Sequence, residues 1–160
     1  MNTVVIESFK FLKDFMPEIR WIHQTGEVDY GRVLEAHQKA ATQARVEKFI
    51  YDMPSCYSEA SLLICRAGSS TLAEIAAVGR ASVLIPLPTA ADNHQVKNAE
   101  VFSSRGAAVL IQQGAQAGEQ LADKIRDFLS QPQKVTELEN QVTQFYRPKA
   151  PTEILEGLTS

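Results

Sequence analysis

The chain has 160 residues, 44% hydrophobic and 22% charged, with a formal charge of -3. These proportions suit one globular domain with a real core, and they leave no basic footprint for nucleic acid or anionic lipid. Cys56 and Cys65 lack the number and the Cys-x-x-Cys spacing of a zinc site or a disulfide framework, so a reduced, cytoplasmic setting is expected. No run approaches the ~20 apolar residues of a membrane span, and the first residues lack a signal peptide's basic start, so export is not expected.

Val5, Phe9, Leu12 and Met16 recur at helical spacing and predict an amphipathic opening helix that stops before Pro17, although the β-branched Thr3-Val4-Val5-Ile6 also suits a strand. RWIHQ at 20–24 reads as a strand ending in a Thr-Gly turn, followed by a polar helix over 31–43 and the strand VEKFI at 46–50. Next come a short helix over 54–60, a strand over 62–65, a helix over 70–78, and a strand over 82–85 closed by Pro86 and Pro88. A helix over 92–104, a strand over 107–111 and helices over 119–129 and 134–145 lead to a tail, 147–160, loosened by Pro148 and Pro151. Short apolar strands separated by helices predict a single α/β domain over 1–160: a Rossmann-like parallel sheet with helices on both faces.

The stretch LLICRAGSSTLAEIAAVG at 62–79 places a small, polar loop between a buried strand and an Ala-rich helix. In open α/β sheets ligands sit outside the carboxyl ends of the strands, where free N–H groups at a helix start favour an anion. Gly68 would let the backbone turn and a ligand approach, and Ser69, Ser70 and Thr71 would offer hydroxyl and backbone donors. Thr71 and Glu74 also have the Thr-x-x-Glu spacing of a capping box, which needs no ligand.

The match Cys65, Arg66, Ala67, Gly68, Thr71, Glu74, Ile75 resembles the donor-sugar loop of the MurG family of bacterial N-acetylglucosaminyltransferases, C-R-[SA]-G-x-x-T-x-x-E-I. Three further stretches resemble the same family in the same order: His23-Gln24-Thr25-Gly26, then Phe49-Ile50-Tyr51-Asp52-Met53, then Pro86-Leu87-Pro88 with Asp92-Asn93-His94-Gln95 and Asn98-Ala99. The resemblance implies the C-terminal half of a GT-B glycosyltransferase, an inverting, metal-independent hexosyltransferase. That half holds UDP-GlcNAc while an N-terminal domain holds the lipid-linked muramyl-pentapeptide acceptor, so that lipid I becomes lipid II at the cytoplasmic face of the inner membrane.

By this resemblance Glu74 would accept hydrogen bonds from the ribose diol, Ile50 would face the uracil with Met53 nearby, and Ser70 and Thr71 behind Gly68 would lie against the diphosphate. His94 and Gln95 would meet the GlcNAc hydroxyls, and His23 would join the donor site. Each has a purely structural counterpart: a helix cap for Asp92-x-x-Gln95, and a strand-end residue satisfied by backbone for His23. Arg66 would pair with phosphate or with a neighbouring carboxylate. No cofactor, metal or catalytic base is implied within this sequence, the base being expected in the N-terminal domain, and the isolated chain is expected to be silent. The alternatives are a non-catalytic nucleotide-sugar-binding subunit of a split transferase, or a UDP-GlcNAc 2-epimerase fragment. The acidic pair of the epimerase loop, G-G-x-x-E-E, is not matched by G-S-S-T-L-A-E.

The family's domain opens with a strand and a G-G-S-x-G loop that have no counterpart here. With the strand order 3-2-1-4-5-6, that strand would be central, between RWIHQ and LLIC. The expected remedies are half-sheets closing on each other, recruitment of TVVI as a strand, or a second chain covering the edges, so a homo-oligomer or an altered sheet is expected.

Overall fold

The computed structural model describes residues 1–88 and 93–146. Asp92, Pro148, Pro151 and the expected loose tail lie outside them. The strands are β1 (Arg20–Gln24), β2 (Gln43–Glu47), β3 (Leu63–Cys65), β4 (Ser82–Leu84) and β5 (Val109–Leu110). The helices are α1 (Asn2–Ser8), α2 (Tyr30–Lys39), α3 (Met53–Glu59), α4 (Ser69–Val78), α5 (His94–Ser104), α6 (Ala117–Ser130) and α7 (Gln133–Val142).

All described pairings are parallel, in two separate sheets: β1 with β2, and β3-β4-β5. Ser82, Val83 and Leu84 are all buried, as a strand covered on both faces requires. Val83 and Ile85 meet α1 and α6 through Val4, Val5, Leu121 and Ile125. Leu84 points the other way, toward Leu72 and Ile75 of α4 and Phe102 of α5. β1 shares the first of these cores through Trp21, which stacks edge-on to Phe9 at 5.4 Å.

TVVI is helical, not a strand. The opening helix is broken, however: α1 gives way to 3-10 turns at Phe9–Phe11 and Lys13–Glu18, the latter containing Pro17 rather than stopping before it. Val5, Phe9, Leu12 and Met16 are nevertheless all buried, so the helical spacing correctly marks the inner face. α1 lies so close to α6 that a Cβ on Gly118 would stand 2.6 Å from Glu7 Cβ and 3.1 Å from its carbonyl carbon.

The expected strand over 46–50 is displaced. Ala41, at φ 50°, closes α2 early, so Gln43 enters β2 and Ile50 falls in the loop beyond it. The sheet remains divided, with no described strand between β1 and β3. Thr25 N–H donates toward β2, while Leu63 N–H and Cys65 O face β4. Backbone groups alternate along a strand, so those of Ile22, Gln24 and Ile64 point to the two edges that lack a partner strand.

Candidate functional site

The described parts of the loops that follow the strands lie at the strands' carboxyl ends. The turn after β1 is fixed by Thr25, whose N–H donates to Glu47 O (2.9 Å), and by Asn2 of α1, whose amide donates to Thr25 O (2.8 Å). Gln24 reaches from β1 to the next loop and accepts the Ile50 N–H at 2.8 Å. That bond holds Ile50 inside, 6% exposed, between Phe49 and Tyr51, which are 57% and 91% exposed and pack edge to face at 5.0 Å. Met53 opens α3, whose N-cap Asp52 accepts from the Ser55 N–H (3.2 Å) and hydroxyl (2.6 Å). Those two bonds hold the Asp52 carboxyl below its ordinary range.

Gly68 is the N-cap of α4, at φ -69° and ψ 147°, and no side chain caps the helix. The capping-box expectation is therefore corrected: Thr71 lies inside the first turn, and Glu74 points instead at α3, where its Oε2 accepts the Tyr57 hydroxyl (2.7 Å). Leu72 N–H is the first amide bonded back, to Gly68 O (3.0 Å), leaving the N–H groups of Ser69, Ser70 and Thr71 at the helix start. Nor does the backbone need glycine at 68. Its dihedrals are open to any residue, and a Cβ there would meet only Thr71 Oγ1, at 3.8 Å. Asn98 of α5 clamps the loop by donating to Ala67 O (3.1 Å).

Arg66 donates from Nη1 to Ile85 O and to Gln113 Oε1, both at 2.8 Å, tying β3 to β4 and to the loop after β5. It pairs with no described carboxylate, which corrects that expectation, and burial lowers its pKa. Gln95 accepts the Leu87 N–H (3.0 Å), bracing the loop after β4, and His94 is the exposed first residue of α5. α5 starts from Asn93 at φ 54° with no side-chain cap.

His23 is corrected more sharply. It is 7% exposed and faces inward, with Nδ1 3.0 Å from His37 Nε2 and Nε2 3.2 Å from Asn2 Oδ1, so both ring nitrogens are taken up by side chains, not by the backbone. The Asn2 amide nitrogen donates to Thr25 O and Asp29, so its oxygen must accept the His23 Nε2–H. His23 Nδ1 then accepts from His37 Nε2–H, and His37 Nδ1 accepts from the Thr42 hydroxyl (2.7 Å). Both rings are neutral in this chain of donors. Burial and then the neighbouring His37 push the His23 pKa down to about 4, and burial lowers that of His37.

Sequence reading attached no role to Gln24, Tyr57 or Gln113. Gln24 stands in the His23-Gln24-Thr25-Gly26 stretch, but nothing in the local pattern signals the hydroxyl that Tyr57 brings to Glu74 or the carboxamide that Gln113 brings to Arg66.

This geometry defines an α/β domain whose loops gather at the carboxyl ends of the strands, the edge at which open α/β sheets take their ligands. Residues 1–151 match the glycosyltransferase family 28 C-terminal domain, and the chain belongs to that family. It is 44% identical over 156 residues to a UDP-N-acetylglucosamine–N-acetylmuramyl-(pentapeptide) pyrophosphoryl-undecaprenol N-acetylglucosamine transferase of Thermodesulfovibrio yellowstonii, covering 98% of this chain and 43% of that protein. A protein of the same name from Citrifermentans bemidjiense is 38% identical over 160 residues, which is 100% of this chain and 45% of that one. The crystal structure of Acinetobacter baumannii MurG superposes with a TM-score of 0.82 at 31% identity, covering 99% of this chain and 45% of that chain. The chain thus spans less than half the length of the relatives it matches. Among the described residues no helix is long and apolar enough to cross a membrane.

Proposed function

We propose that the chain is the UDP-GlcNAc-holding half of the transferase that converts lipid I to lipid II. The observation that carries this reading is the uncapped first turn of α4 behind a glycine that the fold itself does not require. A diphosphate fits such a place, because main-chain N–H groups meet it without desolvating a counter-charge and no Cβ intervenes. Ser70 and Thr71 hold the diphosphate beside Arg66, Glu74 takes the ribose diol, Ile50 and Met53 flank the base, and His94 and Gln95 meet the sugar. No metal or cofactor enters, His23 acts only by positioning Asn2, and the acceptor site and general base belong to the remaining length of the relatives. The undecaprenol-linked acceptor for which the relatives are named supports work at a membrane surface, which we place on the cytoplasmic side.

Calorimetry of the chain with UDP-GlcNAc, UDP and GDP tests this. Uridine nucleotides are expected to bind and GDP is not, with no transfer to the lipid acceptor by this chain alone. Equal or absent binding of all three would overturn the reading. We also propose that the chain self-associates through the unpaired edges of β1 and β3. Sedimentation showing only monomer at micromolar concentration would refute that.

A further inference from the structure

Helix α3 is seven residues long, buries one side chain, Cys56, and contributes no residue to either apolar core. A helix so short has little stability of its own, so polar bonds set its position. Arg45 Nη2 donates to Cys56 Sγ at 2.7 Å on one side. Of the carbonyls at the helix end, Cys56 O accepts the Ala60 N–H, while Tyr57 O and Ser58 O accept from Nε and Nη2 of Arg80, each at 3.1 Å. The third nitrogen of that guanidinium, Nη1, donates to Glu139 Oε1 of α7 at 3.3 Å, which fixes the plane of the fork.

Arg80 stands just beyond the end of α4, and Glu74 stands within that helix. Tyr57 is therefore tied to α4 at both ends, by its hydroxyl to Glu74 Oε2 (2.7 Å) and by its carbonyl to Arg80. A tyrosine bonded at its tip alone would move with α3. One gripped at the root as well presents its hydroxyl to the carboxylate from a fixed point.

We infer that Arg80 is a positioning residue for the nucleotide site, acting through Tyr57 on the Glu74 carboxylate, an inference that rests on the proposed role of Glu74 toward the ribose diol. The guanidinium fixes the Tyr57 main chain, the Tyr57 hydroxyl fixes one carboxylate oxygen, and that orientation decides how well the carboxylate meets two adjacent hydroxyl groups. Glu139 joins α7 to the same relay.

Calorimetric Kd values for UDP and for its 2′,3′-dideoxyribose analogue, which lacks the diol, test this in the full chain. The wild-type chain is expected to prefer UDP. Arg80→Met keeps an unbranched stem and removes the donors. It is expected to weaken UDP binding about two- to fivefold, the range of the one hydrogen bond it misplaces, and to leave the analogue's affinity unchanged. In the Tyr57→Phe background Arg80→Met should change neither affinity. Equal losses for the two nucleotides, no loss for UDP, or a UDP loss that persists in full with Tyr57→Phe would each overturn the inference, because mere support of the fold does not discriminate between the ligands or act through one hydroxyl. Should Arg80→Met not fold, Arg80→Lys carries the same test, since an ammonium keeps the charge but cannot hold both carbonyls and Glu139 in one plane; a UDP-selective loss supports the inference and a shared or absent loss overturns it. Equal wild-type affinity for UDP and the analogue would overturn the ribose role of Glu74 and this inference with it, whereas failure to bind UDP at all would overturn the proposed function itself.

Discussion

The Tyr57 hydroxyl, on α3, donates to Glu74 Oε2, on α4, across 2.7 Å. The bond orients a carboxylate that the helix alone would leave free to rotate, and burial followed by the Glu74 carboxylate keeps the phenol protonated by raising its pKa. Glu74→Ala is expected to weaken UDP binding by roughly 1.5–3 kcal/mol, the range for hydrogen bonds to a charged group. Tyr57→Phe should weaken it by about 0.5–1 kcal/mol, and should add nothing in the Glu74→Ala background. Calorimetric Kd values for the four proteins close this cycle, and additive losses would show that Tyr57 acts independently of Glu74.

Gly68→Ala distinguishes a fold requirement from a ligand requirement. The dihedrals and the 3.8 Å clearance predict a change in unfolding free energy within about 0.5 kcal/mol, whereas UDP binding should fall tenfold or more as a methyl group intrudes on the diphosphate. Paired urea denaturation and titration check it. Loss of stability without loss of binding would reverse the assignment.

Gly118 offers the opposite case. An alanine there would drive its Cβ into Glu7 and the α1 backbone, so Gly118→Ala should destabilise the chain by about 1–3 kcal/mol through overpacking. An unchanged urea midpoint would mean that α1 yields without strain.

The Asn2–His23–His37–Thr42 chain predicts a pH dependence of definite sign. The folded His23 pKa, about 4, lies below its ordinary value of 6.5, so the unfolded state binds the extra proton. Stability is therefore fully present above pH 6.5 and falls as pH drops toward 4, by an amount of order 3 kcal/mol. His37, shifted in the same direction, adds to the same limb. Urea midpoints between pH 4 and 8 measure this, and His23→Gln should flatten the slope.

Much of this architecture was legible in the amino-acid order. RWIHQ is β1 with its expected bounds, and the Ala-rich run behind Gly68 is α4 to within one residue, because both carry uninterrupted local patterns. β2 was displaced because Ala41 adopts a left-handed conformation that no residue-type rule assigns to alanine. The loop carrying Gly68, Ser70 and Thr71 was visible as a candidate site, but the partners that shape it were not. Tyr57 precedes Glu74 by 17 residues and Gln113 follows Arg66 by 47, distances at which only the assembled fold brings side chains together. His23 misled for the same reason, since its neighbours His37 and Asn2 arrive from other elements.

The divided sheet sets the thermodynamics of the site. Gln24 and Ile50 belong to the β1–β2 pair, whereas Gly68 and Glu74 belong to the β3-β4-β5 ladder, and no described strand hydrogen bonds link the two. A nucleotide spanning base and diphosphate would therefore add a polar cross-link between two strand groups that are otherwise joined by a shared apolar core and by side-chain bonds such as Tyr57–Glu74. Its binding energy would appear as mutual protection, with the amides of Val46 and of Val83 slowing together as UDP saturates. At 100 times Kd the ligand adds about 2.7 kcal/mol, and it does so across a joint that no described strand ladder spans.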